Sequence, residues 1–199
     1  DSMVGKKTVY TYRKFLGEQL AIENSVAADI VVPIPDSGVS AAIGFSQKSS
    51  IPFELGIIRS HYVGRTFIEP SQTIRQFGVK LKHSVNKSCI ENKKVILIDD
   101  SIVRGTTASK IVKMVYEAGA KEVHLGISCP PIMHPDFYGI DTPNYNELIA
   151  SQSDLNEMTK LVGAKSLFFL SLAGTYKAMG CDKRNHITPQ FTDHCFTGE

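Results

Sequence analysis

Residues 95–107, VILIDDSIVRGTT, restrict what this chain can fold into more than any other segment. Lys94 leads into Val95 to Ile98, a run of apolar, largely β-branched residues that delivers two adjacent carboxylates, Asp99 and Asp100. A continuous apolar run of this length, without alternation, is the pattern of a strand covered on both faces, as in a parallel sheet sandwiched by helices. Beyond the loop, Ile111, Val112, Val115 and Ala118 recur at helical spacing until Gly119 punctuates the pattern. The unit is strand, loop, helix, with its acidic pair at the carboxyl end of the strand, where open α/β sheets bind ligands.

The rest of the chain repeats the alternation. Val9 to Ile22 places Tyr12, Phe15, Leu16, Leu20 and Ala21 at helical spacing, and residues 24–28 break it before an apolar strand from Ile30 to Ile34. A loop with Asp36, Ser37 and Gly38 then leads into the helical segment Ser40 to Phe45. Further buried strands are predicted at Val123 to Ser128 and Leu167 to Leu170. Strands alternating with helices specify an α/β fold: a central, mainly parallel sheet flanked by helices, with right-handed crossovers. Between Arg59 and Lys87 the sequence is polar and without period, which reads as a long mobile loop. No internal repeat or low-complexity tract is present.

With 199 residues, 42% of them hydrophobic, the chain suits one well-packed domain. The 22 basic and 20 acidic residues leave a net charge of +2, which gives no electrostatic case for nucleic acid or an anionic membrane as partner. No membrane span or signal peptide is legible, so a soluble cytoplasmic protein is expected. Cys89, Cys129, Cys181 and Cys195 form no C-x-x-C pair, and reduced, mostly buried thiols are expected. Histidines such as His61 and His134 have no metal-ligand spacing and read as structural or solvated.

The loop after Asp100 carries the hydroxyls of Ser101, Thr106 and Thr107 and a glycine, Gly105, ahead of a helix start with unpaired N–H groups. These are the parts of a phosphate cradle. The segment lacks the G-K-[ST] of a Walker A loop and the three glycines of a dinucleotide fingerprint. Adjacent carboxylates ahead of such a cradle suit the hydroxyls of a phosphorylated sugar. Taken alone, the same residues also describe an acidic strand end and a serine capping a helix.

The segment DDSIVRGTT, Asp99 to Thr107, resembles the phosphoribosyl pyrophosphate signature of the type I phosphoribosyltransferases. More narrowly, DDSIVRGTT together with YVGRTFI at 62–68 and FYGID at 137–141 resembles the amidophosphoribosyltransferase family over nearly the whole chain. The resemblance implies a type I phosphoribosyltransferase fold with a long flexible loop over the active site. It implies that Asp99 and Asp100 hold the ribose hydroxyls and Mg²⁺, and that Ser101, Ile102, Val103, Arg104, Gly105, Thr106 and Thr107 wrap the 5-phosphate. Asp36, Ser37 and Gly38 match the family's pyrophosphate loop, with Ser37 near the metal and a strained peptide exposing N–H groups to the leaving group. Without the other motifs, residues 35–38 would read as an ordinary turn. Residues 62–82 resemble the flexible loop, so Arg65 joins Asp99 and Asp100 as a catalytic candidate, while Arg75, Lys80 and Lys82 are further sources of positive charge.

The family's glutaminase domain opens with a cysteine nucleophile, and this chain has no cysteine before Cys89. The expectation is a phosphoribosyltransferase domain over residues 1–199, dependent on ammonia, with the glutaminase domain missing. The resemblance also suggests a homo-oligomer. Some members bind an iron–sulfur cluster through a cysteine just before FYGID and a later C-x-x-C; here that position is Asp136 and the pair is missing, so no cluster is expected. Two other readings share the Asp99 to Thr107 site: a salvage phosphoribosyltransferase acting on a nucleobase, and a non-catalytic phosphoribosyl pyrophosphate sensor. Both leave YVGRTFI and FYGID unexplained.

Overall fold

The computed structural model describes residues 2–60, 83–136 and 144–199. A four-stranded, wholly parallel sheet runs through the centre in the order β3 (Ile30–Pro33), β6 (Lys94–Asp99), β7 (Glu122–Ile127), β8 (Ser166–Phe169). The register aligns Val31 with Ile96, Ile96 with His124, and Leu125 with Leu167. The strand ends lie within a residue of those expected from the apolar runs, a difference without physical content.

Alternate residues of the central strand enter two separate cores. Val95 and Leu97 pack with Val32, Val123 and Leu125 beneath α4 (Thr106–Glu117) and α6 (Leu155–Val162), which contribute Ile111, Val112, Val115, Met158 and Val162. Ile96 and Ile98 pack on the other face with Val31 and Phe168, beneath α1 (Val9–Glu23) and α2 (Val39–Ser49), through Leu20, Ala41, Ala42 and Phe45. Every side chain from Val95 to Ile98 is fully buried. Covering both faces requires an unbroken apolar strand, which explains the pattern of that segment.

Helices α1 and α2 meet through glycine. A Cβ at Gly17 would stand 1.9 Å from the Ala41 carbonyl oxygen, and one at Gly44 would stand 2.0 Å from that of Lys14. The two backbones therefore touch where side chains would separate them.

The segment expected as one aperiodic loop is ordered at both ends. The short strands β4 (Ile57–Arg59) and β5 (His83–Val85) pair antiparallel, and α3 (Lys87–Ile90) follows; Ile57 and Ile90 join the core beneath α4. Its periodicity is hidden because each strand is only three residues long. A hairpin of β1 (Met3–Val4) and β2 (Lys7–Thr8) precedes α1. On the other side of the sheet, a 3₁₀ turn (Tyr145–Glu147) and α5 (Ile149–Gln152) precede α6. After β8 come α7 (Leu172–Ala178) and α8 (His194–Thr197). All four cysteines are free thiols of intermediate exposure, less buried than expected. Among the described residues no helix is long and apolar enough to cross a membrane.

Candidate active site

The site lies where β6 ends. Ile98 is the last sealed residue of the strand, and its carbonyl accepts from the Ile34 N–H at 2.9 Å. Asp99 still belongs to the ladder: its carbonyl accepts from Ser128 N at 3.0 Å and Ser128 Oγ at 3.1 Å. The backbone under the acidic pair is thereby fixed, and the two carboxylates leave the sheet edge into a cavity of about 330 Å³. Ser37, Asp99, Asp100 and every residue from Ser101 to Thr107 line this cavity.

Burial raises the Asp99 carboxyl from 3.8 to about 8, reinforced by the neighbouring charge of Asp100. The Asp100 N–H, donating to Asp99 Oδ1 at 2.9 Å, and the Ser37 hydroxyl act in the opposite direction. Two carboxylates crowded at a partly dry sheet edge repel one another, and a cation between them would remove that repulsion.

The loop expected to hold a phosphate leads into an uncapped helix start. Gly105 takes φ +74°, a left-handed conformation suited to glycine, and its carbonyl accepts from Ser109 N at 2.9 Å as α4 begins. No side chain caps this helix start, so its first N–H groups remain available to an anion. Ser101 Oγ stays within 3.4 Å of Asp100 Oδ1, whereas Thr106 and Thr107 are exposed at the rim. Two members of the loop have other commitments. Ile102 is 5% exposed and packs its side chain into the core, leaving its main chain for the cavity. Arg104 directs Nε to Glu147 at 2.5 Å, while the Val103 carbonyl accepts from Ile149 N at 2.9 Å.

The loop opposite, from β3 into α2, divides its roles. Ser37 faces the cavity, but Asp36 and Gly38 do not line it. The exposed Asp36 carboxylate forms an ion pair with Arg59 of β4. Gly38 is buried against the sheet: a Cβ there would stand 2.3 Å from the Ile98 carbonyl oxygen, so the glycine lets α2 start against the strand end. The peptide between Pro35 and Asp36 is cis.

His83 also lines the cavity, and sequence reasoning missed it. A histidine beside the basic run ending at Lys82 carries no motif, and only the β4–β5 pairing brings it to the site. Arg65, Arg75, Lys80, Lys82 and the segments 62–68 and 137–141 lie outside the described residues.

No group of three or more His, Cys, Asp or Glu suited to a metal occurs among the described residues. Asp99, Asp100 and the Ser37 hydroxyl form a hard oxygen set that is too small to enclose a cation alone. That set fits Mg²⁺, which commonly takes one or two protein carboxylates and completes its shell with water and substrate phosphate.

No family model matches the chain. It is 60% identical to an amidophosphoribosyltransferase from Rhizobium etli across its whole length, which is 40% of that relative. It is 51% identical to the chloroplastic amidophosphoribosyltransferase 1 of Arabidopsis thaliana, of which it covers 34%. The solved glutamine phosphoribosylpyrophosphate amidotransferase of B. subtilis, complexed with ADP and GMP, superposes with a TM-score of 0.85 at 50% identity, over 96% of this chain and 42% of that one.

The chain belongs to the amidophosphoribosyltransferase family.

It spans roughly two fifths of the length of the R. etli relative. A second solved structure, described as the allosteric regulatory enzyme of purine biosynthesis, matches all of this chain and 43% of its own, at 48% identity and a TM-score of 0.85. The fold is that of the type I phosphoribosyltransferases, with the parallel sheet and flanking helices expected from the apolar runs. In this amidophosphoribosyltransferase relative, the acidic strand end, the uncapped helix start and Ser37 converge on one cavity.

Proposed function

We propose that residues 1–199 are a phosphoribosyltransferase domain that transfers ammonia nitrogen to 5-phosphoribosyl 1-pyrophosphate, the first step of purine synthesis. The observation that carries this reading is the Asp99–Asp100 pair in a cavity between Ser37 and an uncapped helix start. It supports a ligand with hydroxyls in the middle and an anion at each end.

Asp99 and Asp100 accept hydrogen bonds from the ribose 2- and 3-hydroxyls, fixing the sugar relative to the sheet edge. The Ser101–Thr107 backbone and hydroxyls hold the 5-phosphate. The loop of residues 35–38 faces the pyrophosphate. Mg²⁺ bound near Ser37, Asp99 and Asp100 would neutralise leaving-group charge. As the bond from C1 to pyrophosphate breaks, positive charge grows on the ribose ring, and the Asp99–Asp100 pair, whose raised Asp99 carboxyl a bound cation would return to its ionised form, stabilises that charge. Ammonia supplies its lone pair to C1, pyrophosphate leaves with the electrons of the broken bond, and the new C1 ammonium loses one proton to give 5-phosphoribosylamine. Ammonia is already a nucleophile, so the residues contribute position and charge.

The test measures pyrophosphate release from phosphoribosyl pyrophosphate and Mg²⁺, with ammonium, glutamine or purine bases as acceptor. We expect release with ammonium, reduced at least about a hundredfold by Asp99→Asn with Asp100→Asn. Dependence on a purine base would move the chain to salvage, and glutamine serving as donor would overturn the ammonia-only reading. Binding without turnover would indicate a sensor.

A further inference from the structure

We propose that His83 is a ligand-contacting residue of this cavity, donating from its imidazole to the pyrophosphate end of the ligand; the inference rests on the functional reading above. His83 is the direct partner of Arg59 in the antiparallel β4–β5 ribbon. Directly opposed residues of such a pair project from the same face. Arg59 reaches Asp36 in the loop of residues 35–38, so His83 emerges toward the same loop, and it lines the cavity beside Pro35 and Ser37.

His83 Nδ1 is shielded from solvent and has no hydrogen-bond partner among the described residues. A polar nitrogen without partner or water is disfavoured, and a histidine bordering a cavity can relieve this by turning its ring toward a bound acceptor. Among the described residues that line the loop end of the cavity, Ser37 offers one side-chain donor, its hydroxyl. The wall formed by Asp99 and Asp100 offers acceptors, so it selects hydroxyls or a cation, while the helix start serves the anion at the far end. An anion at the end formed by residues 35–38 gains a further donor from the ribbon side, where His83 stands. An imidazole N–H provides one whether the ring is neutral or charged.

The experiment titrates the 199-residue chain calorimetrically with inorganic pyrophosphate plus Mg²⁺, and separately with ribose 5-phosphate, in the unsubstituted protein, His83→Leu and His83→Asn. Asn places an amide N–H near the position of imidazole Nδ1, whereas Leu fills the volume without a donor. The expected result is pyrophosphate affinity weakened at least about tenfold in His83→Leu and largely regained in His83→Asn, with ribose 5-phosphate affinity unchanged in both. Equal weakening of both ligands would assign His83 a structural role and overturn the proposal, as would unchanged pyrophosphate binding in His83→Leu. If the unsubstituted chain bound neither ligand, the functional reading itself would fall, and His83 with it.

Discussion

Asp193 is 4% exposed, yet it carries a carboxylate into the packing of the last twenty residues. The Tyr176 hydroxyl donates to it at 2.7 Å, and Arg184 donates through Nε at 2.6 Å and Nη2 at 3.1 Å. The Arg184 guanidinium holds the Asp193 carboxyl below its ordinary 3.8. Because the folded value is lower than the unfolded one, the unfolded chain binds more protons in acid. The stabilisation is therefore complete above the unfolded value of 3.8 and is lost as pH falls through the lower folded value. A urea midpoint measured from pH 6 downward should fall in that acid range, and Asp193→Asn should flatten the dependence while lowering the midpoint at pH 6. An equally steep acid limb in Asp193→Asn would assign it to other carboxylates. Nothing in the sequence marks Asp193, since its partners lie 9 and 17 residues away and only tertiary packing joins them.

At the scale of elements, glycine at positions 17 and 44 reads in sequence as a weakness, because alanine is the better helix former by about 1 kcal/mol. The contact between α1 and α2 reverses that expectation. Either alanine would place a methyl group within about 2 Å of a backbone carbonyl oxygen, and a backbone cannot yield as a flexible side chain can. Gly17→Ala and Gly44→Ala should each destabilise the fold by about 2 to 4 kcal/mol, read as a lower urea midpoint by circular dichroism. Unchanged or raised stability would show that the helices separate at little cost. The same principle governs β4 and β5: three-residue strands carry too little pattern to be read alone, and their partner lies across the polar segment between them.

For the whole molecule, one sheet buried on both faces holds β6, the acidic pair and the start of α4 as a single unit, because Val95 and Leu97 anchor one core while Ile96 and Ile98 anchor the other. A ligand that bridges the loop of residues 35–38 and the Ser101–Thr107 cradle ties α2 and α4 together across that sheet. Phosphoribosyl pyrophosphate with Mg²⁺ should therefore stabilise the native state, by about 2.7 kcal/mol at one hundred times Kd if it binds only the folded chain. Thermal unfolding followed across a ligand series would check this through a rising Tm. A Tm insensitive to ligand at concentrations that saturate the cavity would contradict it.

The sequence by itself determined the parallel α/β sheet and the acidic strand end ahead of a hydroxyl-bearing loop and helix start. Both are local patterns: an unbroken apolar run demands cover on two faces, and Asp99 to Thr107 are contiguous. It also determined the family, through segments whose order survives in the chain. Only the tertiary structure decided that Asp36 pairs with Arg59, that Ile102 belongs to the core, and that His83 borders the site. Each of those outcomes depends on elements far apart in sequence packing at one sheet edge, where burial and charge assign a side chain its partner and local pattern cannot.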